Sequence, residues 1–198
     1  MRLLLAVVLV SVVAGYLLGG RLRTLGRLQL RSWGLAVSGL LLQVTPIPWG
    51  GDAGRRVAVA LLIASYPLLI LFAWRNLHLA GFVLIVAGLV LNMAVIAVNE
   101  GMPVSGSALR ASGQEDVLTE LRREPSQKRH LQGTGDTLRP LADVIPLPAP
   151  INQVMSAGDI LMYAGIIRLL VAAMRGNPAP RHARGAVTAR TEPRRRPG

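Results

Sequence analysis

The sequence has no cysteine at all, which excludes a disulfide, a thiolate nucleophile and a cysteine-ligated metal centre. Aromatic residues are scarce, at 4%, and charged residues make up only 16%, so there is no stock of stacking rings for single-stranded nucleic acid. The chain also lacks a P-loop, a GxSxG elbow, an HExxH pair and a Rossmann glycine pattern, so the enzymes built on those motifs are disfavoured and no cofactor or resident metal is expected. What the sequence does have is apolar: 52% of its 198 residues are hydrophobic, and the mean hydropathy is +0.45. That composition belongs to membrane proteins rather than to soluble domains.

The apolar residues gather into five runs, at residues 3–20, 33–48, 57–74, 80–98 and 158–174. A helix needs about 20 residues to cross a bilayer core, with roughly 17 to 25 tolerated. The first, third and fourth runs meet that requirement, whereas the second and fifth need residues from their flanks. The expected fold is an all-α membrane protein with about five transmembrane helices. Residues 1–98 form a four-span bundle, 99–156 an outer loop, 157–174 the fifth span and 175–198 a disordered basic tail.

Arginine placement sets the direction, because basic residues in short loops stay in the cytoplasm. Arg21, Arg23, Arg27 and Arg31 follow the first run, Arg75 follows the third, and Arg175 with the tail arginines follows the fifth. Loops on the other side hold Arg2, Arg55 and Arg56, and a long segment whose acids nearly balance its bases. The expected topology is multi-pass in the inner (cytoplasmic) membrane, with the N-terminus outside and the C-terminus in the cytoplasm. A cleaved signal peptide over the first run would put four arginines outside, so a retained span is favoured. The net charge of +12 is then mostly a cytoplasmic anchor. Its expected partners are the lipid bilayer and its anionic headgroups, not nucleic acid. Trp33, Trp49 and Trp74 stand at run ends, where amphipathic rings settle at headgroup level. The stretch 21–31 alternates arginine with leucine and reads as an interfacial helix or a plain basic loop.

The long polar segment is uneven. Ser112 followed by Glu115 reads as a capping box opening an amphipathic helix over 113–124, whose acids face water. Asn99, Gly101 and Pro103 stop the fourth helix. Pro146, Pro148 and Pro150 at alternate positions force extended backbone. That stretch is apolar, so it must pack on protein or line a wet cavity.

The order NEGMPV, a loop histidine, LADVIPLP and SAGD opening the last helix resembles a family of prokaryotic multi-span membrane proteins of unknown function, over roughly residues 1–174. The resemblance implies a small helical membrane fold, and carries no established activity, substrate or cofactor. A second likeness, of NEGMPVS and AGDILMYAG, is to the boxes of lipoprotein signal peptidases. The chain lacks that family's Asn-x-x-Asp-Arg and the two spans between its boxes.

Several residues are candidates for chemistry. Asp159 at the start of the last span and Asp143 in LADVIP are the candidate catalytic pair: two carboxyls sharing a site split their pKa values and can work on a water. Each also has a structural reading, Asp159 as a helix-start acid with Ser156 as cap and Asp143 as a turn former. Asn99, Gly101, Met102, Pro103, His130 and Ser156 complete a candidate binding site. His130 has no second histidine near it in sequence and reads as a surface residue. Gln43 and Asn92 are suited to hydrogen bonds between helices. Gly81, Ala87 and Gly88 favour close packing, and Arg168 can snorkel to the interface. Three functions fit: a recognition surface where the outer loop meets spans four and five, a membrane-embedded hydrolase using Asp143 and Asp159, and a small transporter or channel subunit lined by Asn92 and Gln43.

Overall fold

The computed structural model describes residues 2–48, 50–123, 126 and 128–176. The basic tail from residue 177, Trp49 and Glu124 lie outside the described residues, so the expectations made for them have no structural counterpart.

The chain is mostly helical. α1 runs Arg2–Leu17, α2 Trp33–Val44, α3 Gly51–Arg75 and α4 Phe82–Asn99; after a polar interval, the last helix runs Ala157–Met174. Three of these, Gly51–Arg75, Phe82–Asn99 and Ala157–Met174, are long and apolar enough to cross a membrane. α1 and α2 are apolar but shorter, at 16 and 12 residues. The first run, expected to meet the spanning length, thus gives a helix of only 16 residues, and the second run gives less helix than its length suggested. Pro46 and Pro48 end it, and 12 residues rise only about 18 Å. The third run gives more, because the helix starts at Gly51, ahead of Asp52, Arg55 and Arg56.

The interval between α4 and the last helix is not a loop but a small folded unit, which departs from an all-α reading. β1 (Met102–Val104) leads into α5 (Gly106–Ala111), α6 (Glu115–Arg123) and β2 (Arg129–Leu131), then β3 (Ile145–Leu147) and β4 (Gln153–Met155), and the last helix is α7. β1 pairs in parallel with β2, Pro103 opposite His130. On its other side β1 meets Asp143, whose N–H donates to the Pro103 carbonyl and whose carbonyl accepts from the Ser105 N–H. β3 and β4 pair antiparallel. Val104, Ala108, Leu109, Leu118, Leu121 and Val154 form a core for this unit, separate from the core of the bundle. The amphipathic helix is present as α6, but Ser112 does not open it. Ser112 closes α5 instead, its Oγ donating to the Leu109 carbonyl.

The long helices lie in the packing order α2, α3, α4, α7, α1. Loops gather at two ends. At one end the α1–α2 connection meets the close of α7: Thr24 Oγ1 donates to the Met174 carbonyl at 2.6 Å, in a 3₁₀ turn over Leu22–Arg27 that stands between the two readings of this stretch, helix and basic loop. There too the buried Asn76 grips Arg31, accepting from its N–H at 2.8 Å and donating to its carbonyl at 2.9 Å. At the other end, Lys128 Nζ donates to the Gln43 carbonyl and Arg55 reaches the Glu100 carbonyl, so the polar unit sits over the close of α2 and the start of α3.

Glycine lets α4 and α7 come close. The two helices are antiparallel, with Gly81 opposite Gly165 and Gly88 opposite Gly158. A Cβ on Gly81 would collide with the Gly165 carbonyl, and one on Gly158 would collide with Asn92 Oδ1. The glycines are seven apart on both helices, so the same face returns after two turns. Small residues at such a seam let backbones touch, which is how apolar helices pack where no hydrophobic drive separates them from lipid.

Candidate functional site

One turn beyond Gly88 on the same seam stands Asn92, 3% exposed. It faces the start of α7, where Ser156 and Asp159 form a capping box. Ser156 Oγ accepts from the Asp159 N–H at 3.0 Å, and Asp159 Oδ2 accepts from the Ser156 N–H at 3.1 Å. Asn92 closes the ring from α4, donating through Nδ2 to Asp159 Oδ1 and accepting at Oδ1 from Ser156 Oγ, both at 2.8 Å. Each polar atom in this buried crossing has a partner, as burial requires. The sequence SAGD is thus a capping box completed by a third residue 64 positions away.

Asp143 lies nearby. The β3–β4 ladder continues through the Val144 N–H donating to the Met155 carbonyl, which sets Asp143 beside the first turn of α7. Its carboxyl is buried, and Arg129 Nη2 binds Oδ2 at 2.8 Å from a half-exposed side chain. Burial pushes the Asp143 carboxyl up to about 6; Arg129 holds it down in part, and the negative charge of Asp159 adds to the rise. Tyr66 of α3 and Tyr163 of α7 also stand within electrostatic reach of both carboxylates.

A second cluster ties the close of α4 to the β2 region. Asn99 Oδ1 accepts from the Thr137 N–H at 2.8 Å while its Nδ2 donates to the Val95 and Thr137 carbonyls. Glu100 and Gly101 turn the chain with φ of 52° and 140°. A Cβ on Gly101 would press on the Lys128 carbonyl at 3.1 Å, so glycine serves both the conformation and the close approach. Met102 and Pro103 are buried in β1 and are packing residues. His130 is not the surface residue expected: it is partly buried, with Nε2 2.9 Å from Asp136 Oδ1 and a buried Nδ1 that has no hydrogen-bond partner among the described residues. Burial works to raise the Asp136 carboxyl, but the Gly133 N–H and His130 together hold it below its usual range.

The structure therefore brings Asp159, Ser156 and Asn92 together at the α4–α7 crossing, with Asp143 nearby and within electrostatic reach of Asp159, and Asn99, Gly101 and His130 at a second cluster around β1. Sequence reasoning missed Arg129, Asp136 and Thr137, which are the partners of Asp143, His130 and Asn99. Only the parallel pairing of β1 and β2 reveals them, and three-residue strands leave no periodic trace. Chemically, Asp159 already spends both oxygens on the crossing, and Asp143 spends one on Arg129. Gln43 donates to Ser65 Oγ of α3 at 3.0 Å. Among the described residues no group of three or more His, Cys, Asp or Glu is placed to hold a metal ion.

An apolar helical bundle with three helices of membrane-spanning length, closed at one end by a folded polar unit, defines the class of protein. The chain belongs to the family of unknown function DUF5317, whose model matches residues 27–171. That match takes in α2, α3, α4, the whole polar unit and α7 up to residue 171, and leaves α1 and the tail outside it. No curated protein and no solved structure matches the chain.

Proposed function

We propose that the protein is a five-span protein of the cytoplasmic membrane, N-terminus outside and C-terminus inside, whose outer unit is a recognition surface held rigidly over spans four and five. The observation that carries this reading is the fastening of residues 99–156. Asn92, Ser156 and Asp159 lock the unit to α4 and α7, and the turn over Arg139–Leu141 rests on both helices. A segment with its own core and that many bonds to the bundle is built to hold a fixed face, the property a binding surface needs. Exposed Val98, Leu138 and Ile160 stand where unit and bundle meet. The five-span count is supported by the alternation of helix ends between the two loop clusters, and the direction by the arginines at the α1–α2, α3–α4 and α7 ends. Exposed apolar side chains along α1, such as Leu5, Leu9 and Leu17, suit contact with lipid. The arginines of the α1–α2 turn suit anionic headgroups.

Reporter fusions after Arg31 and Arg75 should then report cytoplasm, and one near Ser112 the outside. A photoreactive residue at Leu138 should give a discrete adduct absent when the same residue replaces Leu9; identical adduct patterns at the two sites would overturn the recognition reading.

One observation favours a second reading, a hydrolase using Asp143 and Asp159: the Asp143 carboxyl, raised to about 6 beside a second acid, is suited to proton transfer near neutral pH. That reading requires Asp159 to release Asn92 or Ser156 during turnover. Asp143→Asn and Asp159→Asn would then each abolish activity, and the double variant would be little worse than either.

A further inference from the structure

At the end of the bundle that bears the polar unit, the first turns of α3 border a cleft of about 650 Å³. Asp52, Arg55 and Arg56 form its polar lip, Glu100 faces them from the close of α4, and Val59, Ala60 and Ile63 continue the wall along α3.

The two arginines are unexplained by the fold. Arg55 reaches only the Glu100 carbonyl, at 3.5 Å, and among the described residues Arg56 has no side-chain partner. Neither is in ion-pair range of Asp52 or Glu100, although all four line one cleft. The positive end of the α3 macrodipole lies one turn away and offers cations nothing. On the membrane placement proposed above they also stand outside, against the rule that keeps basic residues in.

Length fixes the depth of the site. α3 has 25 residues, about 37 Å of helix against a hydrocarbon core of roughly 30 Å. The charged residues Asp52, Arg55 and Arg56 precede the apolar run that starts at Val57, so on the placement proposed above the surplus turn that carries them stands in the headgroup layer, with Val59, Ala60 and Ile63 at the top of the acyl region. Adjacent arginines match a phosphodiester by forked hydrogen bonds, and the two carboxylates beside them match an ammonium. The lip holds two positive and two negative side chains, so it complements a zwitterion rather than a simple anion.

We propose that this cleft binds one phospholipid of the outer leaflet whose headgroup carries an amine next to its phosphate, with phosphate at Arg55 and Arg56, amine at Asp52 and Glu100, and an acyl chain along Val59, Ala60 and Ile63. This rests on the membrane placement proposed above and adds a ligand that the placement does not require.

The test uses full-length protein extracted in mild detergent, delipidated and titrated with phosphatidylethanolamine, phosphatidylglycerol or inorganic phosphate, with bound species counted by native mass spectrometry. One phosphatidylethanolamine should bind at least fivefold more tightly than phosphatidylglycerol, and inorganic phosphate should not compete. R55Q/R56Q should weaken binding at least tenfold. So should Ala60→Trp, which fills the apolar wall without changing charge, while Arg23→Gln at the opposite end should leave it unchanged. If the double arginine variant fails to fold, Arg56→Gln alone, which breaks no bond, carries the same test. Unchanged binding in the arginine and Ala60 variants, equal binding of phosphatidylglycerol, or displacement by phosphate alone would overturn the proposal. Membrane fractionation before extraction separates the two ideas: protein that inserts but retains no lipid defeats the cleft assignment only, whereas protein absent from the membrane fraction defeats the placement.

Discussion

Asp143 is the residue whose burial has the clearest consequence. Its folded-state pKa of about 6 lies above the ordinary 3.8, so the folded protein holds this proton more tightly than the unfolded chain does. The sign follows: its contribution favours folding at acid pH and is lost as pH rises from about 4 through about 6, a swing on the order of 3 kcal/mol. Asp136, shifted downward, acts in the opposite sense and only below its ordinary range. Thermal unfolding in detergent should therefore give a higher Tm at pH 5 than at pH 7.5, and Asp143→Asn should flatten that difference; an unchanged difference in the variant would show that the dependence arises elsewhere. Asn92 and Asp159 make a second prediction. Asn92→Ala removes partners from two buried groups and should cost about 1–3 kcal/mol. Asp159→Asn puts an amide N–H against one of two existing donors and should cost about 1 kcal/mol, whereas Glu120→Gln on exposed α6 should be neutral. Equal stability of all three in chemical denaturation would contradict the bonding at the crossing. At this scale the sequence was readable where local grammar suffices: Ser156 and Asp159 are a serine and an acid at capping-box spacing, and Gln43 and Asn92 do bond between helices. Ser112 and Glu115 have the same spacing, yet Ser112 serves the preceding helix, because a short helix ending there already claims it.

The elements were legible in proportion to their length. Long apolar runs gave α3 and α4 directly and α7 with one flanking residue added, while the first run gave a shorter helix than expected, and proline spacing gave the extended stretch that became β3. That LADVIPLP and NEGMPV meet at the outer ends of α4 and α7 was legible in their irregular, apolar character; what the sequence hid is how they meet, through β1 lying between β2 and Asp143. Pairing across dozens of residues depends on tertiary packing that no local pattern records. The helix seam was half visible. Gly81 and Gly88 mark it on α4, but its other side, Gly158 and Gly165, is recognisable only once the two helices are set antiparallel. A methyl group there has no space. Gly158→Ala should cost about 1–3 kcal/mol by forcing the helices apart, while Gly34→Ala, with open space around its Cβ position, should be neutral or slightly stabilising. Unfolding midpoints of the two variants in one detergent check this; a neutral Gly158→Ala would mean that the backbones do not touch.

At the scale of the whole molecule, residues 99–156 fold into a unit with its own core, and the topology proposed above sets that unit outside the membrane. The absence of cysteine allows both to be tested at once, since each introduced thiol is the only one. Thr119 is exposed on α6, its neighbour Leu118 is in the core of the unit, and Arg23 is exposed at the opposite end of the bundle. The deciding measurement is labelling of Thr119→Cys, Leu118→Cys and Arg23→Cys by a membrane-impermeant maleimide in intact cells, before and after permeabilisation and denaturation. The account predicts that Thr119→Cys labels at once in intact cells, Arg23→Cys only after permeabilisation and Leu118→Cys only after denaturation. Labelling of Arg23→Cys in intact cells with Thr119→Cys protected would invert the topology, and labelling of Leu118→Cys as fast as Thr119→Cys would show that the outer segment is not a packed unit.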